Sequence, residues 1–166
     1  MTSRQRMLTA IMNGVPDRVP VAPDISCMVP IRVSGRSYLD VFVHGDPPLW
    51  RAYLAAAAHF GIDAWFTYAG VGFETEGVTT TSRWIVDEPD RKVRETTFHT
   101  GEGPLTEQVL IGNDKPPVRV KKMVEDVDRD WPRVRRLLGP IAAADPSLIP
   151  VEREARGERG ALGAGI

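Results

Sequence analysis

Asp46-Pro47-Pro48-Leu49-Trp50-Arg51-Ala52-Tyr53-Leu54-Ala55-Ala56-Ala57-Ala58-His59-Phe60-Gly61-Ile62-Asp63-Ala64-Trp65-Phe66-Thr67-Tyr68 is the stretch on which the fold turns. Asp46-Pro47 reads as an N-cap followed by proline in the first helical turn, and Trp50, Tyr53, Leu54, Ala57, Ala58 and Phe60 form an apolar stripe that ends at Gly61. The run from Ile62 to Tyr68 is short and nearly all apolar, the pattern of a parallel strand covered on both faces. A helix, a tight turn and a buried strand in succession predict an α/β protein.

Upstream, Thr2 stands three residues before Gln5, a capping-box spacing, and Met7, Leu8, Ile11 and Met12 follow at helical intervals. A first helix is expected to run to about Asn13 and to stop at Gly14. Val19-Pro20-Val21-Ala22-Pro23 cannot be helical and predicts a short strand. That strand would be the parallel neighbour of residues 62–68. Asp24 to Gly45 has poor periodicity and reads as a long loop with one helical turn.

Downstream, residues 79–87, 92–99 and 104–111 are rich in Thr, Val, Ile, Trp and Phe. Glu88-Pro89-Asp90-Arg91 and Thr100-Gly101-Glu102-Gly103 separate them with turn chemistry. An antiparallel meander over 79–111 follows, with Arg83, Arg94, Glu95 and Glu107 leaving one face wet. Asp130 is placed to cap a helix through Leu138, another helix begins near Pro146 or Pro150 and stops at Gly157, and a strand starts near Ala161. The final Gly160-Ala161-Leu162-Gly163-Ala164-Gly165-Ile166 reads as the opening of an element, so the sequence looks cut.

The 166 residues carry 42% hydrophobic and 26% charged side chains and a net charge of −1, the proportions of a globular chain that buries roughly 70% of its unfolded surface. Near-neutral charge argues against nucleic acid or anionic lipid as a partner, and no apolar run reaches the roughly 20 residues of a membrane span. One cysteine, Cys27, permits no internal disulfide, so a cytoplasmic setting is expected. Gly70-Val71-Gly72 lacks the dinucleotide-loop spacing, and there is no Gly-x-Ser-x-Gly, His-Glu-x-x-His or Cys-x-x-Cys.

Four positions are candidates for binding. Arg32 and Arg36 flank Val33-Ser34-Gly35 and could present two guanidinium forks to a carboxylated or phosphorylated ligand; the competing reading is two solvated loop arginines. His44 lies in a loop before a helix. Glu74 stands two residues before Glu76, so in an extended chain the pair shares a face as acid, base or cation ligand, or as a wetted strand edge. Catalytic residues remain unassigned. His59 on its helix and Cys27 are read as ordinary packing or surface residues.

Thr2-Ser3-Arg4-Gln5-Arg6, Asn13-Gly14, Pro16-Asp17-Arg18-Val19-Pro20-Val21 and His59-Phe60-Gly61-Ile62-Asp63-Ala64 together resemble the opening of the uroporphyrinogen decarboxylase superfamily. That group holds tetrapyrrole decarboxylases and zinc-dependent methyltransferases that take methyl groups from corrinoid proteins. The resemblance implies the N-terminal part of a (β/α)8 TIM barrel spanning residues 1–166, with the meander as an insertion and ligands at the carboxyl ends of the strands. It implies a carboxylate-gripping role for Arg32 and Arg36, after the decarboxylases' Arg-Gln-Ala-Gly-Arg segment. The decarboxylases' pyrrole-holding aspartate falls on Gly70, leaving Glu74 as its substitute, so the methyltransferase-like branch is the closer expectation and tetrapyrrole decarboxylation the alternative.

In that branch zinc is held by a His-x-Cys pair and a distant cysteine in the second half of the barrel, beyond Ile166, so no cofactor is expected within this chain. A corrinoid or tetrapyrrole ligand, another small molecule, or a corrinoid protein would be the partner, and the chain alone would be inactive. A non-enzymatic α+β binding module, in which Trp65, Phe66 and Tyr68 pair with the meander, is the reading from a different class.

Overall fold

The structure, a computed structural model, describes residues 1–66 and 71–163. It is a mixed α/β protein in two compact units, one made of residues 1–36, 40–71 and 145–166, the other of residues 37–39 and 72–144. Among the described residues its sheets have two, two and four strands, and none closes into a barrel.

The first unit opens with α1 (Ser3–Ile11), whose capping box joins Thr2 and Gln5 as the spacing predicts. The helix ends at Ile11, before Gly14, because Asn13 itself takes the left-handed turn. Leu8, Ile11 and Met12 face outward while Arg6 and Met7 are buried. The ion pairs of Arg6, described below, set which side of α1 turns inward. Residues 24–45 are more ordered than a loop: α2 (Met28–Ser34) ends at a left-handed Gly35, and Asp40–His44 makes a π-helical turn.

Helix α3 (Leu49–Phe60) begins three residues after Asp46, with Pro48 at its N-cap. Asp46 and Pro47 each precede a proline, which keeps both out of helical conformation. Gly61 closes it in the left-handed region, as expected. Tyr53, Leu54 and Ala57 form the core with Ala64, and Ile25, Leu49, Trp50 and Ile62 pack around it.

Strand β1 (Ala64–Phe66) follows, and Thr67 and Tyr68 of the predicted run lie outside the described residues. Its Trp65 is exposed, so the strand is not covered on both faces. The predicted strand at 19–23 is absent. Pro20 and Pro23 have no N–H to give a ladder, and the Val21 N–H goes to a side chain, Asp63 Oδ2, at 3.0 Å. Among the described residues one backbone bond, Asp63 N–H to Val21 C=O at 2.8 Å, joins this segment to the residue before β1.

The second unit contains β2 (Gly72–Thr75), β3 (Thr79–Asp87), β4 (Arg91–Thr100), β5 (Gly103–Gly112), β6 (Val118–Lys121), α4 (Val127–Leu137) and β7 (Ile141–Asp145), whose last residue belongs to the first unit. Strands β3 to β6 form the expected antiparallel meander, lengthened by β6, with a bulge between Trp84 and Val86. One face carries a polar network. Arg83 grips Glu95 at 2.7 and 2.9 Å, Gln108 donates to the same carboxylate, and Thr81 meets His99 at 3.0 Å. Leu105 and Ile111, on the other face of β5, are buried.

Asp130 does not cap α4; Asp126 does, accepting the Arg129 N–H at 2.9 Å. Asp130 is instead buried within the helix, and its carboxylate gathers the N–H groups of Glu125 and Asp126 and the guanidinium groups of Arg129 and Arg133. The Arg129 hydrogen bond first, then those two backbone N–H groups, hold its carboxyl well below the usual carboxylate range. Asp130→Ala is therefore expected to fray residues 124–127 and the start of α4, seen as faster amide exchange there than in β4 and β5. Unchanged exchange at those amides would refute that role.

The chain returns to the first unit with α5 (Leu148–Arg156) and a 3-10 turn at Gly157–Arg159. It then enters β8 (Gly160–Leu162), close to where the sequence predicts a strand. Strand β8 pairs in parallel with β1, Ala64 opposite Gly160 and Phe66 opposite Leu162. Among the described residues the meander does not pair with β1, where the binding-module reading has it pair with Trp65 and Phe66; the third residue of that reading, Tyr68, lies outside them.

Candidate functional site

Asp63 is an acid inside an apolar run, and it is fully buried. Arg6 Nη1 reaches its Oδ1 at 2.6 Å, and Arg18 approaches both of its oxygens at 2.9 and 3.2 Å. The Val21 N–H completes the set. Arg6 also makes a two-pronged pair with Asp17 at 2.6 and 2.9 Å, and the N-terminal amine sits 3.1 Å from Asp17. Burial alone would raise the Asp63 carboxyl, but the Val21 N–H, the Ser3 hydroxyl and the Arg6 guanidinium outweigh it and leave the group below its ordinary value. Asp17, hydrogen-bonded by Arg6 first and the N-terminus second, is held well below the carboxylate range. Arg6 is correspondingly pushed up, chiefly by its hydrogen bond to Asp17.

This cluster anchors the segment before a cavity of about 210 Å3. Ala22, Pro23 and Ile25 form one wall, Tyr53 and Ala57 of α3 another, and Trp65 of β1 lies at its edge. The two carboxylates beside it are already engaged: Asp63 as above, and Asp24 as acceptor of the Ser26 N–H at 2.8 Å. Among the described residues the cleft therefore has a mixed polar and apolar lining whose two carboxylates are already engaged, and its apolar walls can seat a flat or aliphatic group.

None of the four predicted site residues lines it. Arg32 is exposed in the last turn of α2, and Arg36 is exposed beyond Gly35, with Asp46 3.3 Å from its guanidinium. The segment between them is not a flexible loop. Ser34 Oγ donates to Ile31 C=O at 2.7 Å and accepts from the Arg36 N–H at 3.3 Å, so the helix end fixes where Arg36 leaves the backbone. His44 is exposed at the end of the π-helical turn. Glu74 and Glu76 are exposed in the second unit, Glu74 on β2 and Glu76 just after it, so Glu74 does not belong to the unit that holds Arg32, Arg36 and His44. Cys27 is half-buried at the N-cap of α2.

The ionic cluster around Asp63 is what the sequence reading missed. Its signal was present in Asp63 itself, since an acid flanked by Ile62 and Ala64 in a run of apolar residues calls for buried cations, and Arg6 and Arg18 are the arginines of the neighbouring motif.

The described residues contain no group of three or more His, Cys, Asp or Glu able to hold a metal. Nor is any described helix long and apolar enough to cross a membrane. Comparison with models of known protein families, with curated proteins and with solved structures yields no match.

Proposed function

We propose that this chain supplies the first strands of a barrel of the uroporphyrinogen decarboxylase superfamily, nearer its methyltransferase-like members, and contributes binding surface for a carboxylated corrinoid or tetrapyrrole. One observation carries the reading. The two stretches on which the resemblance rests, Asp17–Val21 and Gly61–Ala64, meet at the buried Asp63 carboxylate, and β8 lies parallel on β1. In chain order a segment without strand pairing, α2 and α3 precede β1, and a long crossover ending in α5 leads to the parallel β8; this one parallel pair supports the reading.

Within this reading Arg32 and Arg36 face solvent as cations for the ligand's carboxylates, Arg36 exchanging its exposed Asp46 partner for the ligand. The cleft beside Trp65 and Tyr53 takes an apolar part of the ligand. The chain alone binds without turnover.

Quenching of tryptophan fluorescence by methylcobalamin and by uroporphyrin tests this. Binding of either is expected, with affinity about tenfold lower in Arg32→Ala and Arg36→Ala, the loss of one charge-assisted contact each. Preference for the corrinoid favours methyl transfer, and preference for the porphyrin favours decarboxylation. A chain that quenches with neither macrocycle, or whose arginine variants bind as the parent does, would refute the proposal.

A further inference from the structure

Helix α4 turns an apolar stripe to solvent. Val127, Trp131 and Leu138 are 68%, 52% and 73% exposed, and Val134 completes the row. At 3.6 residues per turn these four side chains fall within an arc of about 60°. Asp130 is buried on the flank next to the half-buried Val134, about 40° round the helix, and it, Arg133 and the Arg136–Glu102 pair at 2.7 Å engage α4 with its own unit.

The charges of α4 point to what covers the stripe. Arg129 and Arg133 pair with Asp130, and Arg136 pairs with Glu102. Among the described residues only Asp128 and Arg135 of this helix make no ion pair, and both are exposed. They stand one heptad apart, on the same flank of the stripe. A two-fold axis passing beside the helix, perpendicular to it and at the level between Trp131 and Pro132, would carry the level of Asp128 onto that of Arg135 and leave the flank unchanged. Two antiparallel copies of α4 would thus place each Asp128 opposite the other copy's Arg135, twice over, with the two tryptophans side by side at the centre.

We propose that α4 is a self-association surface, and that the occupant of its stripe is a second copy of this chain packed antiparallel. Self-complementary charge is what selects this occupant over an unrelated protein, which would have no reason to match a single acid and a single base at heptad spacing. The contact is short, about 16 Å of helix, so it falls below the size of a stable standard interface and the dimer is weak.

Sedimentation velocity of the full chain at low salt, from about 10 μM to about 1 mM, provides the test. The wild type is expected to pass from monomer to dimer with a dissociation constant on the order of 100 μM. Asp128→Arg and Arg135→Asp should each weaken association at least about tenfold, and the double reversal should restore it. Mixing the two single variants should yield a heterodimer, because one carries two bases and the other two acids on the flank. Circular dichroism confirms that these surface variants are folded. A wild type that stays monomeric at every concentration leaves the stripe to some other partner and overturns the proposal. So do single reversals that associate like the wild type, and a mixture that forms no heterodimer.

Discussion

Asp63→Ala is expected to cost about 2–3 kcal/mol of stability, the loss of a buried carboxylate's charge-assisted bonds to the buried Arg6, which keeps Asp17, to the half-exposed Arg18 and to the Val21 N–H. Its carboxylate is fully buried and holds Arg6, Arg18 and the Val21 N–H together, so its loss releases α1, the 17–21 segment and the start of β1 at once. Thermal or urea unfolding of the first unit measures the effect, and a loss below about 1 kcal/mol, the ordinary scale of an exposed pair, would refute it. The same site governs acid sensitivity. Folding lowers the Asp63 and Asp17 carboxyls, so their stabilisation is complete above the ordinary aspartate range, about pH 4, and fades as pH falls toward the depressed values. Asp63→Asn should therefore be less stable than the wild type at neutral pH, and the gap should narrow in acid. A gap that widens on acidification would contradict this account.

The second large effect is expected at Gly160. A Cβ built there would stand 2.6 Å from that of Ala64 and closer still to the Ala64 carbonyl oxygen, both on the partner strand. Neighbouring backbone cannot move aside as a flexible side chain would, so Gly160→Ala is expected to cost about 1–3 kcal/mol and Gly160→Val more. The pairing of β1 with β8 should open first, read as loss of amide protection at residues 64–66 and 160–162 while the meander keeps its own. Gly157 is the control. It has no atom within 4 Å of its would-be Cβ, so an alanine there meets only the cost of its positive φ and leaves that pairing intact. Equal protection at β8 in the wild type and Gly160→Ala would show that the close approach does not matter.

Elements whose signals are local were legible in the sequence. The Thr2–Gln5 box, the Gly61 stop of α3 and the three long meander strands each depend on residues within one turn or hairpin and stand as read, while of the α3 stripe Tyr53, Leu54 and Ala57 are buried but Ala58 and Phe60 are exposed. What could not be read depends on distant partners. The 19–23 segment has a strand's composition but spends its one central N–H on a side chain more than forty positions away. Helix α1 buries only Met7 of its apolar row and leaves Leu8, Ile11 and Met12 outside, because two aspartates elsewhere in the chain draw Arg6 inward. The pairing of β2 with β7 joins short strands separated by the entire meander, and neither has a periodicity of its own. Of the candidate site, Arg36 was legible as an exposed cation, but its neighbour Asp46 comes from the start of another helix. Helix α2 itself was hidden by Pro30 and three β-branched residues, Val29, Ile31 and Val33, which lower helical propensity without forbidding the turn.

The parallel pairing of β1 with β8 also sets a timetable for the polypeptide as it is made. Residues 72–144 form nearly all of one unit in an unbroken stretch, whereas the other is assembled from pieces on both sides of it. A nascent chain can complete its hairpins while the first strand still waits for its neighbour, which the ribosome delivers only with the last residues described. The ring of charges around Asp63, built entirely from residues before position 64, can hold the early pieces in place through that wait.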